Sequence, residues 1–291
     1  MAFPTRRRVV TTALATAAAG TFAPLRTATA SEAPPARVPR PLFRAHAHND
    51  YLHPRPLHDA LAQGFTSVEA DIFLADGELL VAHEATDLDP ARTLSALYLD
   101  PLLARVRANH GTVFRGDPTP VQLLIDIKTD GEAAYAELDR QLRRHRQMLT
   151  SFQHGRVRPG AVTPVISGDR AARAPMEAQR TRYAFYDGRL DDLGTAATAS
   201  FIPLISSSWT GTFGWLGTGP IPPAERDALR AITAAAHREG QRVRFWATPD
   251  VPGPEREAVW AELLAAGVDH LNTDDLAGLA RFLRTHDRGA R

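Results

Sequence analysis

The chain has 291 residues, with 34 basic and 33 acidic side chains and no cysteine, which excludes disulfides, zinc–thiolate sites and thiol catalysis. There is no basic block beyond the N-terminus, so nothing here offers an electrostatic footprint for nucleic acid. An apolar fraction of 44% suits a globular protein, and the roughly 250 residues left after a leader fit one α/β barrel as well as two smaller domains.

Residues 1–30 read as a cleaved export signal. Thr5-Arg6-Arg7-Arg8-Val9-Val10 precedes a weakly apolar Ala/Thr stretch, and Ala28-Thr29-Ala30 supplies small residues for cleavage. The arginine pair resembles a twin-arginine signal, an ordinary secretory signal being the plainer alternative. The apolar run is short and threonine-rich for a membrane anchor. The mature protein is therefore expected to be secreted. The leader takes four arginines with it, leaving 30 basic against 33 acidic groups, about −3. Residues 31–40, rich in Pro and Ala, read as a flexible lead-in, and residues 41–291 as a single domain, expected to be monomeric.

From there β-like runs alternate with helix-like stretches. Strands are predicted at Leu42–Ala47, Thr66–Ile72, Val121–Ile127, Val162–Ser167, Arg182–Tyr186, Phe201–Ser206, Arg242–Ala247 and His270–Thr273. Helices are predicted at Pro56–Gln63, Leu94–Asn109, Gly131–Leu149, Pro223–Glu239 and Glu255–Ala266, several stopping at a glycine. Asp76-Gly77 reads as a hairpin turn, making Leu79–His83 an antiparallel flap after the second strand. Eight strands with intervening helices favour a (β/α)8 TIM barrel, whose site lies at the C-terminal ends of the strands. A doubly wound sheet is the alternative, but no glycine-rich phosphate loop follows the first strand.

The chemical residues fall at those ends. Glu69 and Asp71 are two apart, so a strand turns both carboxylates to one face. Buried together they would be costly without a cation between them. Glu69, Asp71 and Asp126, with the amide oxygen of Asn49, form a hard oxygen set suited to calcium or magnesium. His48 and His83 can then act as base and acid, on a substrate whose negative charge calls for this much cation, such as a phosphodiester. Lys128 is the chain's only lysine and shares a strand face with Asp126, which suggests a compact point charge for phosphate.

These segments resemble known families. His48-Asn49-Asp50-Tyr51-Leu52 is similar to a segment of eukaryotic phosphoinositide-specific phospholipase C, with Glu69-x-Asp71 and His83 following in that order. Asp76-Gly77 through His83-Glu84 and Leu124-Ile125-Asp126-Ile127-Lys128 resemble glycerophosphodiester phosphodiesterases, which carry Glu-x-Lys in place of Asp126-x-Lys128. The nearest resemblance is to the "altered inheritance of mitochondria" type of phospholipase-C-like protein, through His46-x-His48-Asn49-Asp50-Tyr51 and Arg92-Thr93-Leu94-Ser95-Ala96-Leu97-Tyr98-Leu99. It implies a phosphodiesterase barrel with catalytic His48 and His83, a metal on Asn49, Glu69, Asp71 and Asp126, phosphate on Lys128, and a cyclic phosphate as first product. Two departures, Asn49-Asp50 for Arg-Gly and no Pro-Glu-Asn-Thr motif, count against a glycerol-headed substrate.

His46 shares a strand face with His48, and three roles stay open for it: support, an alternative catalytic base, or core packing. Trp209 and Trp246 are expected at the substrate rim, where they would stack on a head group or touch a membrane surface transiently; packing of the barrel top is the alternative for Trp209, and filling of the barrel for Trp246. An amidohydrolase also opens with His-x-His, but needs histidines ending strands five and six. A catalytically silent phosphate-ester-binding barrel is the remaining alternative.

Overall fold

The computed structural model describes residues 39–287; the expected leader and nearly all of the lead-in lie outside them. Eight parallel strands close into a barrel: β1 (Leu42–Ala47), β2 (Phe65–Ala75), β4 (Val121–Ile127), β7 (Val162–Gly168), β9 (Phe185–Gly188), β10 (Leu204–Ser208), β11 (Arg242–Trp246) and β12 (His270–Thr273). Pairing of β1 with both β2 and β12 completes the ring. The TIM barrel is the fold. Strand β3 (Glu78–Val81) pairs antiparallel with the end of β2, as expected of the flap. Its turn places Asp76 and Gly77 at φ 50° and 81°, which Asp-Gly tolerates.

Helices α1 (His58–Gln63), α2 (Asp100–Ala108), α3 (Gly131–Arg144), α4 (Arg173–Glu177), α5 (Trp209–Thr212), α6 (Pro223–Arg238), α7 (Pro254–Ala265) and α8 (Leu276–His286) complete the chain. The Asp130 and Asp275 carboxylates cap α3 and α8 by accepting from Ala133 N and Gly278 N. Outward strand residues such as Leu123 and Ile125 join the helices in the main core. The inward residues divide. Leu124, Val165, Phe185 and Leu204 form a separate apolar cluster on one side of the barrel lumen. Ser67, Glu69, Gln122 and Arg244 form a buried polar network on the other.

Three expectations need correction. The strand predicted at Arg182–Tyr186 breaks in two. Strand β8 (Thr181–Arg182) joins β5 (Ser151–Gln153) and β6 (Arg156–Arg158) in a small antiparallel sheet, and only Phe185–Gly188 enters the barrel. The break lets the Arg182 guanidinium lie against Phe152, Phe185 and Phe201, 4.1, 5.7 and 5.0 Å from their centroids. The strand predicted from Phe201 starts at Leu204, after Pro203. The helix predicted over Leu94–Asn109 opens with a π-helical turn, Ser95–Leu99, before α2. Among the described residues no helix is long and apolar enough to cross a membrane.

Candidate active site

In-register pairing sets Asp71, Asp126 and Ser167 side by side on β2, β4 and β7, near their C-terminal ends. One turn of pleat below, Glu69 points to the same lumen. The three carboxylates offer ligand atoms within 4.8 Å of one another. Burial pushes Asp126 up to about 6, Lys128 opposing it and the Glu69 and Asp71 charges adding to it. Burial and then the Glu69 charge also raise Asp71, against Lys128. Burial would raise Glu69 too, but Arg244 and His46 outweigh it and hold it low.

Asp71 Oδ1 and Asp126 Oδ1 are buried without a hydrogen-bond partner. Two orphaned carboxylate oxygens among crowded negative charges fit a hard divalent cation. Gly168 leaves them room. Its φ is +82°, and a Cβ there would stand 2.1 Å from Asp126 Oδ1.

Lys128 Nζ lies 3.1 Å from Asp71 Oδ2 and 3.2 Å from Asp126 Oδ2. Burial alone would lower its pKa, but those two carboxylates raise it. Arg244, on β11, reaches Glu69 Oε2 at 2.5 Å and donates to Asn272 Oδ1 at 3.0 Å.

The histidines sort themselves by burial. His48 follows β1, and its Nδ1 lies 2.8 Å from Asp274 Oδ1. Burial pulls its pKa down, yet the Asp274 hydrogen bond and the Glu69 charge leave it raised. His83 follows β3, its Nδ1 3.0 Å from the Tyr51 hydroxyl. That hydroxyl also donates to Asp71 Oδ2 at 2.7 Å and lies 2.8 Å from Asn49 Oδ1. Asn49 holds a left-handed backbone, φ 46°, a conformation Asn accepts more readily than most residues.

His46 does not reach the cleft. It is fully buried, with Nδ1 2.7 Å from Ser67 Oγ and Nε2 2.9 Å from Glu69 Oε2. Burial, then Arg244, lowers its pKa to about 4. Both nitrogens are engaged within the protein, so His46 orients Glu69 and the catalytic expectation for it is withdrawn.

Trp209 is also corrected. It is 0% exposed, packs on Phe213 and Phe245, and donates its indole N–H to Trp215 O. Trp246, 41% exposed at the end of β11, does line the cleft. The cleft is about 270 Å³ and brings together His48, Asn49, His83, Lys128 and the carboxylate triad.

Arg92-Thr93-Leu94 and Tyr98 turn out to be braces. Arg92 Nη2 donates to Tyr51 O at 2.5 Å, and the Tyr98 hydroxyl donates to Asp50 Oδ2 at 2.9 Å. Burial raises Asp50 to about 6, although Leu57 N–H and Tyr98 pull it down.

Sequence reasoning missed Arg189 and Arg244, both on the cleft wall. Arg244 was legible as an inward alternate of β11, two before Trp246. Arg189 was not, because the predicted strand ended at Tyr186. The amidohydrolase alternative loses its ligands here: β9 ends in Asp187-Gly188 and β10 in Ser206-Ser207-Ser208, with no histidine.

Residues 39–187 match the AIM6-like phosphodiesterase domain. The chain belongs to that family. Residues 242–277, from β11 into α8, also match the glycerophosphoryl diester phosphodiesterase family. Among relatives, the Altered inheritance of mitochondria protein 6 homolog of Arthroderma benhamiae is 33% identical over 263 residues, 82% of each chain. Altered inheritance of mitochondria protein 6 of Eremothecium gossypii is 31% identical over 278 residues, 83% of this chain and 69% of that one. A crystal structure of a glycerophosphoryl diester phosphodiesterase from Parabacteroides distasonis aligns over 86% of this chain and 88% of that one, at 13% identity and a TM-score of 0.49.

Proposed function

We propose that this protein hydrolyses a phosphodiester of the glycerophosphodiester or lipid head-group type, with His48 and His83 as the acid–base pair. The observation that carries this reading is their placement: two imidazoles, each anchored through Nδ1, flank a carboxylate triad and a lysine in one cleft. Anchoring Nδ1 on Asp274 and on Tyr51 leaves Nε2 of each ring as the nitrogen that exchanges protons with substrate. At about 270 Å³ the cleft suits a head group, not an entire lipid. Trp246 at its mouth supports stacking on that group or brief contact with a membrane surface.

Glu69, Asp71 and Asp126, with the Asn49 amide oxygen, would hold calcium or magnesium. Such an ion neutralises phosphate charge and acidifies an attacking hydroxyl. Excess chelator is expected to abolish diesterase activity on a glycerophosphodiester panel, and calcium or magnesium to restore it. Full activity in chelator, with no ion found by elemental analysis, would remove the metal from the reading.

Lys128 bridges two carboxylates while its side chain stays 29% exposed, so its ammonium can also meet a phosphate oxygen. Lys128→Ala is expected to cost at least about tenfold in turnover, more than its loss of melting temperature accounts for, since the buried Asp71 loses one charge partner but keeps the Tyr51 hydroxyl. Lys128→Arg should rescue only in part, its planar fork being a poor substitute for a point charge. Parallel losses of melting temperature and turnover would instead make Lys128 a structural counter-ion.

A further inference from the structure

The cleft is lined by three cations, and two of them are spoken for by the carboxylate triad: Lys128 by Asp71 and Asp126, Arg244 by Glu69. Arg189 is different. It follows β9, which stands four strands from β1 whichever way the ring of eight is followed, so it faces His48 from across the barrel mouth. Its Nη1 donates to Asp187 Oδ2 at 2.8 Å and to the Asp187 and Gly188 carbonyls at 3.2 and 3.0 Å. Its Nη2 donates to Ser167 Oγ at 3.2 Å. Ser167 in turn donates to Asp187 Oδ2 at 2.9 Å, and Asp187 is 0% exposed.

One edge of the guanidinium is thus clamped to a buried floor. Among the described residues, neither Nε nor the remaining Nη2 hydrogen has a protein acceptor, and the side chain is 31% exposed on the cleft wall. A guanidinium with one edge fixed and donors unused presents a preorganised fork for an oxyanion. Ser167 neighbours Asp126 in register, so this wall adjoins the triad without belonging to it.

We propose that Arg189, clamped by Asp187 and Ser167, forms a second anion subsite, and that the preferred substrates are phosphodiesters carrying a further oxyanion, a phosphomonoester or a carboxylate, on the group that lies across the cleft from His48. This rests on the phosphodiesterase reading of the same cleft and narrows its substrate class. Because no pairing between Arg189 and the triad is involved, the subsite selects among diesters and takes no part in bond cleavage.

Calorimetric titration of His48→Ala protein, which removes turnover while keeping the three cations, tests it with two ligand pairs. Glycerophosphoserine differs from glycerophosphoethanolamine by a carboxylate, and glycerophosphoinositol 4-phosphate from glycerophosphoinositol by a phosphomonoester. The anion-bearing member of at least one pair should bind at least about tenfold more tightly, as a charge-assisted fork allows; which pair shows the preference tells carboxylate from phosphate. Arg189→Gln in the same background should erase that preference. Arg189→Lys, which keeps the charge and loses the fork, should reduce it at least about threefold and serves if the Gln variant does not fold. Equal binding within both pairs, or a preference that survives these substitutions, overturns the subsite alone. Binding of no member of either pair removes the glycerophosphodiester reading of the cleft and the subsite with it.

Discussion

Replacing His48 by alanine is expected to lower turnover at least about a hundredfold, and replacing His83 to do the same, the usual scale for positioned acid–base groups. Each imidazole is held by one nitrogen, His48 on Asp274 and His83 on the Tyr51 hydroxyl. Each therefore offers a single proton-exchanging atom in a fixed place. On the proposed roles the two act in one proton circuit, so the double variant should be little worse than the poorer single one. The half-exposed His83 makes few packing contacts, so His83→Ala should melt near the wild-type temperature. Steady-state turnover beside a thermal melt separates lost chemistry from lost fold. If either folded single variant turns over at the wild-type rate, the acid–base assignment is wrong. His46 offers no substitute, since burial and Glu69 keep it out of the cleft.

Gly168→Ala should damage stability and turnover together while adding a single carbon beside the carboxylate triad. The new Cβ would stand 2.1 Å from Asp126 Oδ1 and 2.2 Å from Ile127 O, at a φ of +82°. The left-handed backbone alone costs an alanine about 1 kcal/mol. The contact with Ile127 O cannot be relieved by a side-chain rotation and forces β4 and β7 apart, so about 2–4 kcal/mol in total is expected. Asp126 would be displaced at the same time, and on the proposed role of the triad turnover should fall with stability. Urea unfolding at fixed calcium, read beside turnover, checks both. A loss under about 1 kcal/mol with turnover intact would mean that the backbone here yields more easily than the packing implies.

Most of the barrel was legible because parallel strands buried on both faces read as plain apolar runs between polar helices. The limits of β1, β4 and β12 came out residue for residue. The failures share one physical origin. Around Arg182 the chain leaves one sheet and enters another, and periodicity cannot mark that boundary when the pieces are two and four residues long. Arg189 was lost with it. His46 and His48 look equivalent in sequence, two apart on one face; only depth distinguishes them, since His46 pairs laterally with Ser67 and Asn272 while His48 lies beyond the last ladder residue. Trp209 follows a strand end, as a rim residue would, but starts the short α5 that folds it back against Phe245. The triad, by contrast, needed only strand alternation.

The division of the barrel lumen has a consequence for how this scaffold can change. On one side, Gln122, Ser67, His46, Glu69, Arg244 and Asn272 are joined by successive hydrogen bonds. Each member fixes the rotamer of the next, so an exchange at any of them strands a buried donor or acceptor in its neighbour. On the other side, Leu124, Val165 and Leu204 are held by shape, with Phe185 also facing the Arg182 guanidinium, and aliphatic residues of similar volume can trade places there at modest cost. The lumen is half crystal and half putty. Evolution, natural or directed, has freedom beneath Ser167 and Arg189 and almost none beneath His48, so new substrates should be won from the β7–β10 side while the chemistry stays where it is.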